Sequence, residues 1–100
     1  MDYQVLITDS ALADLREIVE FVAQDDPQAA ARLGEKLIAR ALSLRTLPER
    51  HAWHDAMRGI RKMPLAAYLV FYTCDKAGGV VNILHFWHGA RQSPDFSGGA

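Results

Sequence analysis

Two apolar stripes separated by the tetrapeptide QDDP, residues 24–27, constrain this chain more than any other feature. Upstream, Leu12, Leu15, Val19 and Val22 recur at helical spacing, Ile18 widens the stripe, and Asp14, Arg16, Glu17 and Glu20 fill the other side. Downstream, Ala30, Leu33, Leu37, Ala41 and Leu44 repeat the pattern. Thr8 is placed to cap the first helix, with Asp9 favoured in its first turn by the helix dipole. Asp26 caps the second, and Pro27 takes the first helical position, where its missing N–H costs nothing. That helix should end near Leu47, because the residue before Pro48 resists helical geometry. Helices joined by so short a link pack antiparallel, as an αα-hairpin.

The remaining apolar segments have strand character. YQVLIT, Tyr3 to Thr8, is short and rich in β-formers. After ERHAWHDAM, which reads as a loop, come Gly59 to Met63, Tyr68 to Cys74 and Val80 to Trp87. The last two flank DKAGG, whose glycines suit a hairpin turn, so they should pair antiparallel. The order β-α-α-β-β-β predicts an α+β fold: a helical hairpin packed on one face of a small, mostly antiparallel sheet. The opposite, partly aromatic face is left uncovered, to be solvated or to meet a partner. A chain of 100 residues has room for one core, so residues 1–100 are read as a single domain whose tail frays from about residue 94.

Cys74 is the only cysteine, which rules out an intramolecular disulfide and suits a reducing cytoplasm. MDYQVLIT lacks the features of an export signal, and no apolar run is long enough to span a bilayer, so no membrane partner is expected. The formal net charge of -1 conceals an uneven distribution. Residues 1–26 set seven acidic groups against Arg16 alone, whereas residues 27–62 carry eight basic groups against Glu35, Glu49 and Asp55. The sharpest pattern is Arg32, Lys36 and Arg40 at i, i+4 and i+8. It is either a contact surface for an acidic partner or a solvated face exchanging weak salt bridges with the first helix.

HFWHGAR, residues 85–91, invites a catalytic reading. Strand alternation puts His85 and Trp87 on one face and Phe86 and His88 on the other, which argues against a two-histidine metal site within the strand. His51, His54 and Asp55 would converge on a metal only if HAWHD formed a helical turn, and no fourth ligand is placed. Trp53 beside them is expected to plug the end of the core. Cys74 reads as a packed thiol, and no nucleophile-elbow, phosphate-loop or dinucleotide motif occurs, so no cofactor or metal is expected. What remains is a polar set: Arg58, Arg61, Lys62, Tyr68, Tyr72, His85, His88 and Arg91. Metal-free RNA cleavage needs a base, an acid and cations for the phosphorane, and these residue types supply all three. They are equally an ordinary rim of strand-end residues.

Three segments together resemble the RelE/ParE superfamily of bacterial toxins from type II toxin–antitoxin modules. SALADLREIVEFVAQDDPQAAARL is similar to that family's ALADL…I…YIA…NP.AA opening, with Ala11 to Leu15 and Pro27 to Ala30 in register. GIRKMPLAAYLVFY resembles G.R..P...YR.FY through Gly59, Arg61, Pro64, Tyr68, Phe71 and Tyr72. ILHFWHGAR resembles ILRV.HGRR through Ile83, Leu84, His88, Gly89 and Arg91. The last two segments look closer to the ParE branch. Ribonucleolytic members carry a cation after the strand tyrosine, where Leu69 stands here, and often a tyrosine or histidine near the C-terminus, where Phe96 stands. The resemblance therefore implies a RelE/ParE-like fold and a non-catalytic toxin that inhibits DNA gyrase and is neutralised by a cognate antitoxin. Arg61, Tyr68, His88 and Arg91 would contact the target, and Arg32, Lys36 and Arg40 the antitoxin; direct nucleic-acid binding is not expected on this reading. The alternatives are a ribosome-dependent mRNA endonuclease using Arg61, His85, His88 and Arg91, or a family member that folds and binds but poisons nothing.

Overall fold

The computed structural model describes residues 2–96. Strand β1 (Gln4–Ile7) leads into helix α1 (Asp9–Ala23) and helix α2 (Pro27–Leu42); β2 (Trp53–Asp55), β3 (Ile60–Leu65), β4 (Tyr68–Asp75) and β5 (Val80–His88) follow. The caps are those the sequence predicts. Thr8 accepts the Ala11 N–H at 3.2 Å, and its hydroxyl also donates to Ile83 O at 2.7 Å, which ties the start of α1 to β5. Asp26 accepts the Gln28 and Ala29 N–H groups, each at 3.1 Å. Gly34 lets the two helices approach closely, because a Cβ there would lie 3.2 Å from Val19 Cγ2.

Helix α2 stops at Leu42, short of the expected Leu47. Ser43 Oγ donates to Arg40 O at 2.6 Å, taking a carbonyl from the ladder, and residues Ser43–Arg45 tighten into a 3₁₀ turn. Leu47 then adopts φ 49°, and Pro48–Arg50 form a second 3₁₀ turn. The buried stripe of α1 also differs from the expected one. It centres on Ala11 and Leu15, while Leu12 is exposed.

The five strands run in the order β1-β5-β4-β3-β2, with β1 parallel to β5 and the rest antiparallel. β2 lies in the segment expected to be a loop. At three residues, with a register shift after Trp53, it carries no period-2 signal. The β3–β4 turn is as tight as a hairpin allows, with Leu65 opposite Tyr68 and Ala66 at φ 53°. Pro64 is tolerated in β3 because β2 pairs only with Ile60 and Arg61 and the last bond on that edge runs from the Lys62 N–H to Ala52 O, leaving no partner strand beside Pro64. Arg40 Nη2 donates to the Pro64 carbonyl at 3.1 Å and closes that edge.

Leu15, Leu37, Ala41 and Leu44 pack onto Met63, Val70, Tyr72, Val81, Ile83 and Phe86 as one core. Phe71 and Ile60 lie outside that cluster yet are only 1% and 3% exposed. Phe71 is covered by His54, 4.7 Å away between ring centroids, and by the C-terminal segment. Pro94 is buried, and Phe96 lies against Phe71 with ring centroids 5.4 Å apart. The expectation of an uncovered face is corrected to this extent, because the segment through Phe96 lies on the sheet with its ring against buried Phe71. The rest of the tail lies outside the described residues.

Candidate functional site

Three of the four residues expected to contact a target meet at the open end of β4 and β5. Tyr68 pairs with His88 across the strands, and their rings meet edge-on at 5.2 Å. The chain then turns sharply. Gly89 N–H donates to Ala67 O at 2.7 Å, and a Cβ on Gly89 would sit 3.1 Å from that oxygen, so the close approach of the two turns depends on glycine. His88 Nδ1 accepts the Ala90 N–H at 3.1 Å, which leaves the ring proton of the neutral form on Nε2. Arg91 stacks 4.3 Å above the Trp87 ring. Tyr68, His88 and Arg91 form one wall of a groove of about 570 Å³ whose other wall is α1, with Glu17, Glu20 and the exposed Phe21. The groove is thus apolar at its base, acidic on one side and basic on the other.

Arg61 is elsewhere. It pairs with Tyr72 across β3 and β4, stacks 3.6 Å over Trp53, donates to His51 O at 2.7 Å and lies 4.0 Å from Glu49. These contacts fasten the 3₁₀ segment to the sheet, and the side chain is only 12% exposed. Trp53, expected to plug the core, is instead 48% exposed and serves as the platform for Arg61. Tyr72 is fully buried and donates to Pro48 O at 2.5 Å; burial pushes its phenol up to about 12.

His85 is held by a residue that sequence reasoning passed over. Its Nδ1 lies 2.6 Å from Asp14 Oδ2, and the same oxygen accepts the Phe86 N–H at 3.3 Å. β1 pairs with β5 only as far as Ile83, so the Phe86 N–H is an edge donor that Asp14 satisfies. Burial raises the Asp14 carboxyl, and His85 and the Phe86 N–H pull it back only in part. The signal was present: Asp14 stands at i+3 from Ala11 and i-4 from Ile18, an acid within the buried stripe rather than on its polar flank. His85 also lines a hollow of about 360 Å³ on the face away from the helices, with Ser10, Arg58, Thr73, Asn82 and Phe96.

The basic stripe divides. Arg32 and Lys36 are exposed on α2, whereas Arg40 turns to the Pro64 carbonyl. Among the described residues no ion pair links α1 with α2, so the stripe does not exchange salt bridges with the first helix.

Residues 5–93 match the family model described as ParE toxin of type II toxin–antitoxin system, parDE. The chain belongs to this family. Toxin RelE1 of Caulobacter vibrioides is 31% identical over 94 residues, 92% of this chain and 99% of that protein. Toxin RelE2 of the same organism is 37% identical over 89 residues, 88% of this chain and 97% of that protein. The fold is shared with a solved structure of the chromosomal ParDE toxin–antitoxin system from P. aeruginosa, with a TM-score of 0.72 at 19% identity, covering 86% of this chain and 95% of that one.

In this member of the ParE toxin family, Leu69 lies opposite Trp87 on the face away from the helices, without a charge. His51 and His54 do not form the helical turn that a shared metal would need, since residues 53–55 are a strand. His54 packs on Phe71 at 4.7 Å, and burial, followed by Arg50, Arg40 and Arg61, lowers the pKa of His51. Among the described residues no group of three His, Cys, Asp or Glu side chains is placed to hold a metal, and no helix is long and apolar enough to cross a membrane. Cys74 is half-buried, and burial pushes its thiol up.

Proposed function

We infer that this ParE-family toxin acts by holding a macromolecular target, with DNA gyrase as that target, and is silenced by a cognate antitoxin. The observation that carries the reading is where the polar side chains are spent. Cleaving a phosphodiester calls for a free acid, a free base and cations around one phosphate. Here Tyr72 is locked to Pro48, Arg61 is clamped between Trp53 and His51 O, and the face away from the helices carries Leu69 and Phe96. Tyr68, His88 and Arg91 line a groove suited to contact with a protein, in which aromatic and arginine anchors contribute most of the affinity. Exposed Arg32 and Lys36 suit an acidic antitoxin segment, speeding encounter more than deepening affinity. Similarity to the ParE family is what favours gyrase as that target.

Purified protein should inhibit gyrase supercoiling in vitro, and added antitoxin should relieve the inhibition. Undisturbed supercoiling at saturating toxin refutes the target. The second reading, a ribosome-dependent endonuclease, draws on one specific observation: Asp14 orients His85 as a carboxylate orients a catalytic imidazole, beside a hollow that also contains Arg58. Changing His85 alone to Gln separates the two readings, because His85 lies outside the groove of Tyr68, His88 and Arg91. Gyrase inhibition should survive in the folded variant, whereas a nuclease would lose its toxicity.

A further inference from the structure

Residues 89–91 are exposed and follow the last strand, yet each of their backbone N–H groups has a partner. Gly89 donates to Ala67 O at 2.7 Å, and Arg91 donates to His88 O at 3.1 Å, which closes a β-turn over residues 88–91. Between them, Ala90 donates not to a carbonyl but to His88 Nδ1, at 3.1 Å. A side-chain acceptor that reaches the amide two residues on is the device by which Asn and Asp shape turns, and here an imidazole makes it. On the far side Trp87 Nε1 donates to Gln92 O at 2.6 Å. Arg91 is thus bracketed along the backbone, and its guanidinium rests 4.3 Å above the Trp87 ring.

The His88 ring is therefore already employed inside the chain. Its Nδ1 serves Ala90, and the Tyr68 ring meets it edge-on at 5.2 Å. The first of these contacts depends on protonation. Neutral Nδ1 is an acceptor; protonated, it becomes a donor and points its hydrogen at the hydrogen of Ala90. The charged and titratable groups that share the groove with this ring are Asp14, Glu17 and Glu20 on α1, Tyr68 on β4, and Arg91 beyond β5.

We propose that His88 is a positioning residue for Arg91: through Nδ1 its neutral ring holds the turn of residues 88–91 in the shape that presents Arg91 on the basic wall of the groove, and contact with the target is left to the arginine. The proposal rests on the reading of that groove as the target site. Two consequences separate bracing from contact. Uptake of a proton at Nδ1 removes the acceptor, releases the Ala90 N–H and loosens the backbone that carries Arg91. Only a side chain with an acceptor at the place of Nδ1 can stand in for the histidine. The carboxamide oxygen of Asn occupies that place, whereas the longer Gln carries its carboxamide out to the place of Nε2.

The test compares the unaltered full chain with His88→Asn and His88→Gln. NMR comes first. In the unaltered chain the ring nitrogens should report the Nε2–H tautomer at about pH 8, and the Ala90 amide should move in step with the ring as acid protonates it. The Arg91 side-chain protons should carry the upfield shift that the Trp87 ring imposes, keep it in the Asn chain and lose about half of it or more in the Gln chain. Surface-capture kinetics with purified gyrase follow. The Gln chain should bind about threefold to tenfold more weakly than the Asn chain, the factor that one net hydrogen bond supplies, and acid should weaken the unaltered chain more than the Asn chain. His88→Ala, which also lacks the acceptor, takes the place of His88→Gln should the latter fail to fold. The proposal is overturned by an Nδ1–H tautomer, by an Ala90 amide indifferent to the proton on the ring, or by Gln binding as tightly as Asn or tighter, which would mean that Nε2 touches the target. Failure of the unaltered chain to bind gyrase refutes the target and not the positioning, which the Arg91 shifts then decide by themselves.

Discussion

Replacing Tyr72 by Phe tests whether this buried phenol is a strut or a reactive group. Its ring is fully buried, and its hydroxyl has one partner, the carbonyl of Pro48, itself buried at the start of a 3₁₀ turn. Removing the hydroxyl deletes one hydrogen bond and leaves the carbonyl unsatisfied, which costs about 1–3 kcal/mol. Because Glu49 and Arg50 beside it are exposed and the turn has some freedom to admit water, about 1.5 kcal/mol is the working figure. For a domain near this size that lowers Tm by about 6–12 °C. Urea and thermal melts at pH 7 measure it. The pH dependence gives a second handle. Burial lifts the Tyr72 phenol to about 12, above an unfolded value near 10. A raised folded pKa contributes stability that is fully present below about pH 10 and lost as the pH climbs toward 12, so the gap between the two proteins should narrow over that interval. Equal stability of the two proteins at pH 7, or loss of toxicity in a Y72F chain shown to be folded, refutes the structural role.

Asp14→Ala removes the acceptor that serves both His85 and the Phe86 N–H, and should cost about 2 kcal/mol in urea unfolding; an unchanged midpoint would mean that the edge of β5 is satisfied some other way. The lowered pKa of His51 implies stability that is present above about pH 6.5 and lost as the pH falls through its folded value, so His51→Gln should flatten the acid side of the stability curve, and an identical slope would show that another group sets it. Arg32→Glu with Lys36→Glu should slow association with an acidic antitoxin segment, with a salt dependence weaker than that of the unaltered chain; an unaltered on-rate in surface-capture kinetics returns those side chains to solvent. Arg40 is excluded from that pair because its guanidinium holds the Pro64 carbonyl, and its loss would confuse stability with binding.

The helical hairpin was legible because its signals are local: Thr8, Asp26 and Pro27 act within one turn of the backbone they cap. The β4–β5 pairing was legible for the same reason, since residues on both sides of DKAGG have strand character. What escaped were features created by distant contacts. β2 exists because Arg61 and Ile60 offer it an edge, and Trp53 is a platform because Arg61 lies over it; neither follows from HAWHD alone. The site residues show the same division. Tyr68 and His88 come together because β4 and β5 pair antiparallel, as expected, and because a register shift between Phe71 and Tyr72, which nothing local announces, sets Tyr68 opposite His88, whereas Arg61, assigned to the same end, pairs with Tyr72 instead. Asp14 looked like a solvated helix residue because charge outweighed position in the reading of α1. Phe96 was legible as a missing phenol, yet its seat on Phe71 required the sheet face to be seen whole.

The most direct measurement maps the 5′ ends of a transcript on translating ribosomes incubated with the purified toxin. Tyr72 and Arg61 are committed to structural contacts, and Leu69 and Phe96 supply neither charge nor proton, so the message should remain intact at toxin concentrations that halt supercoiling. Discrete cuts that vanish with His85→Gln would show that the Asp14–His85 pair cleaves RNA, and that this chain destroys its target instead of gripping it.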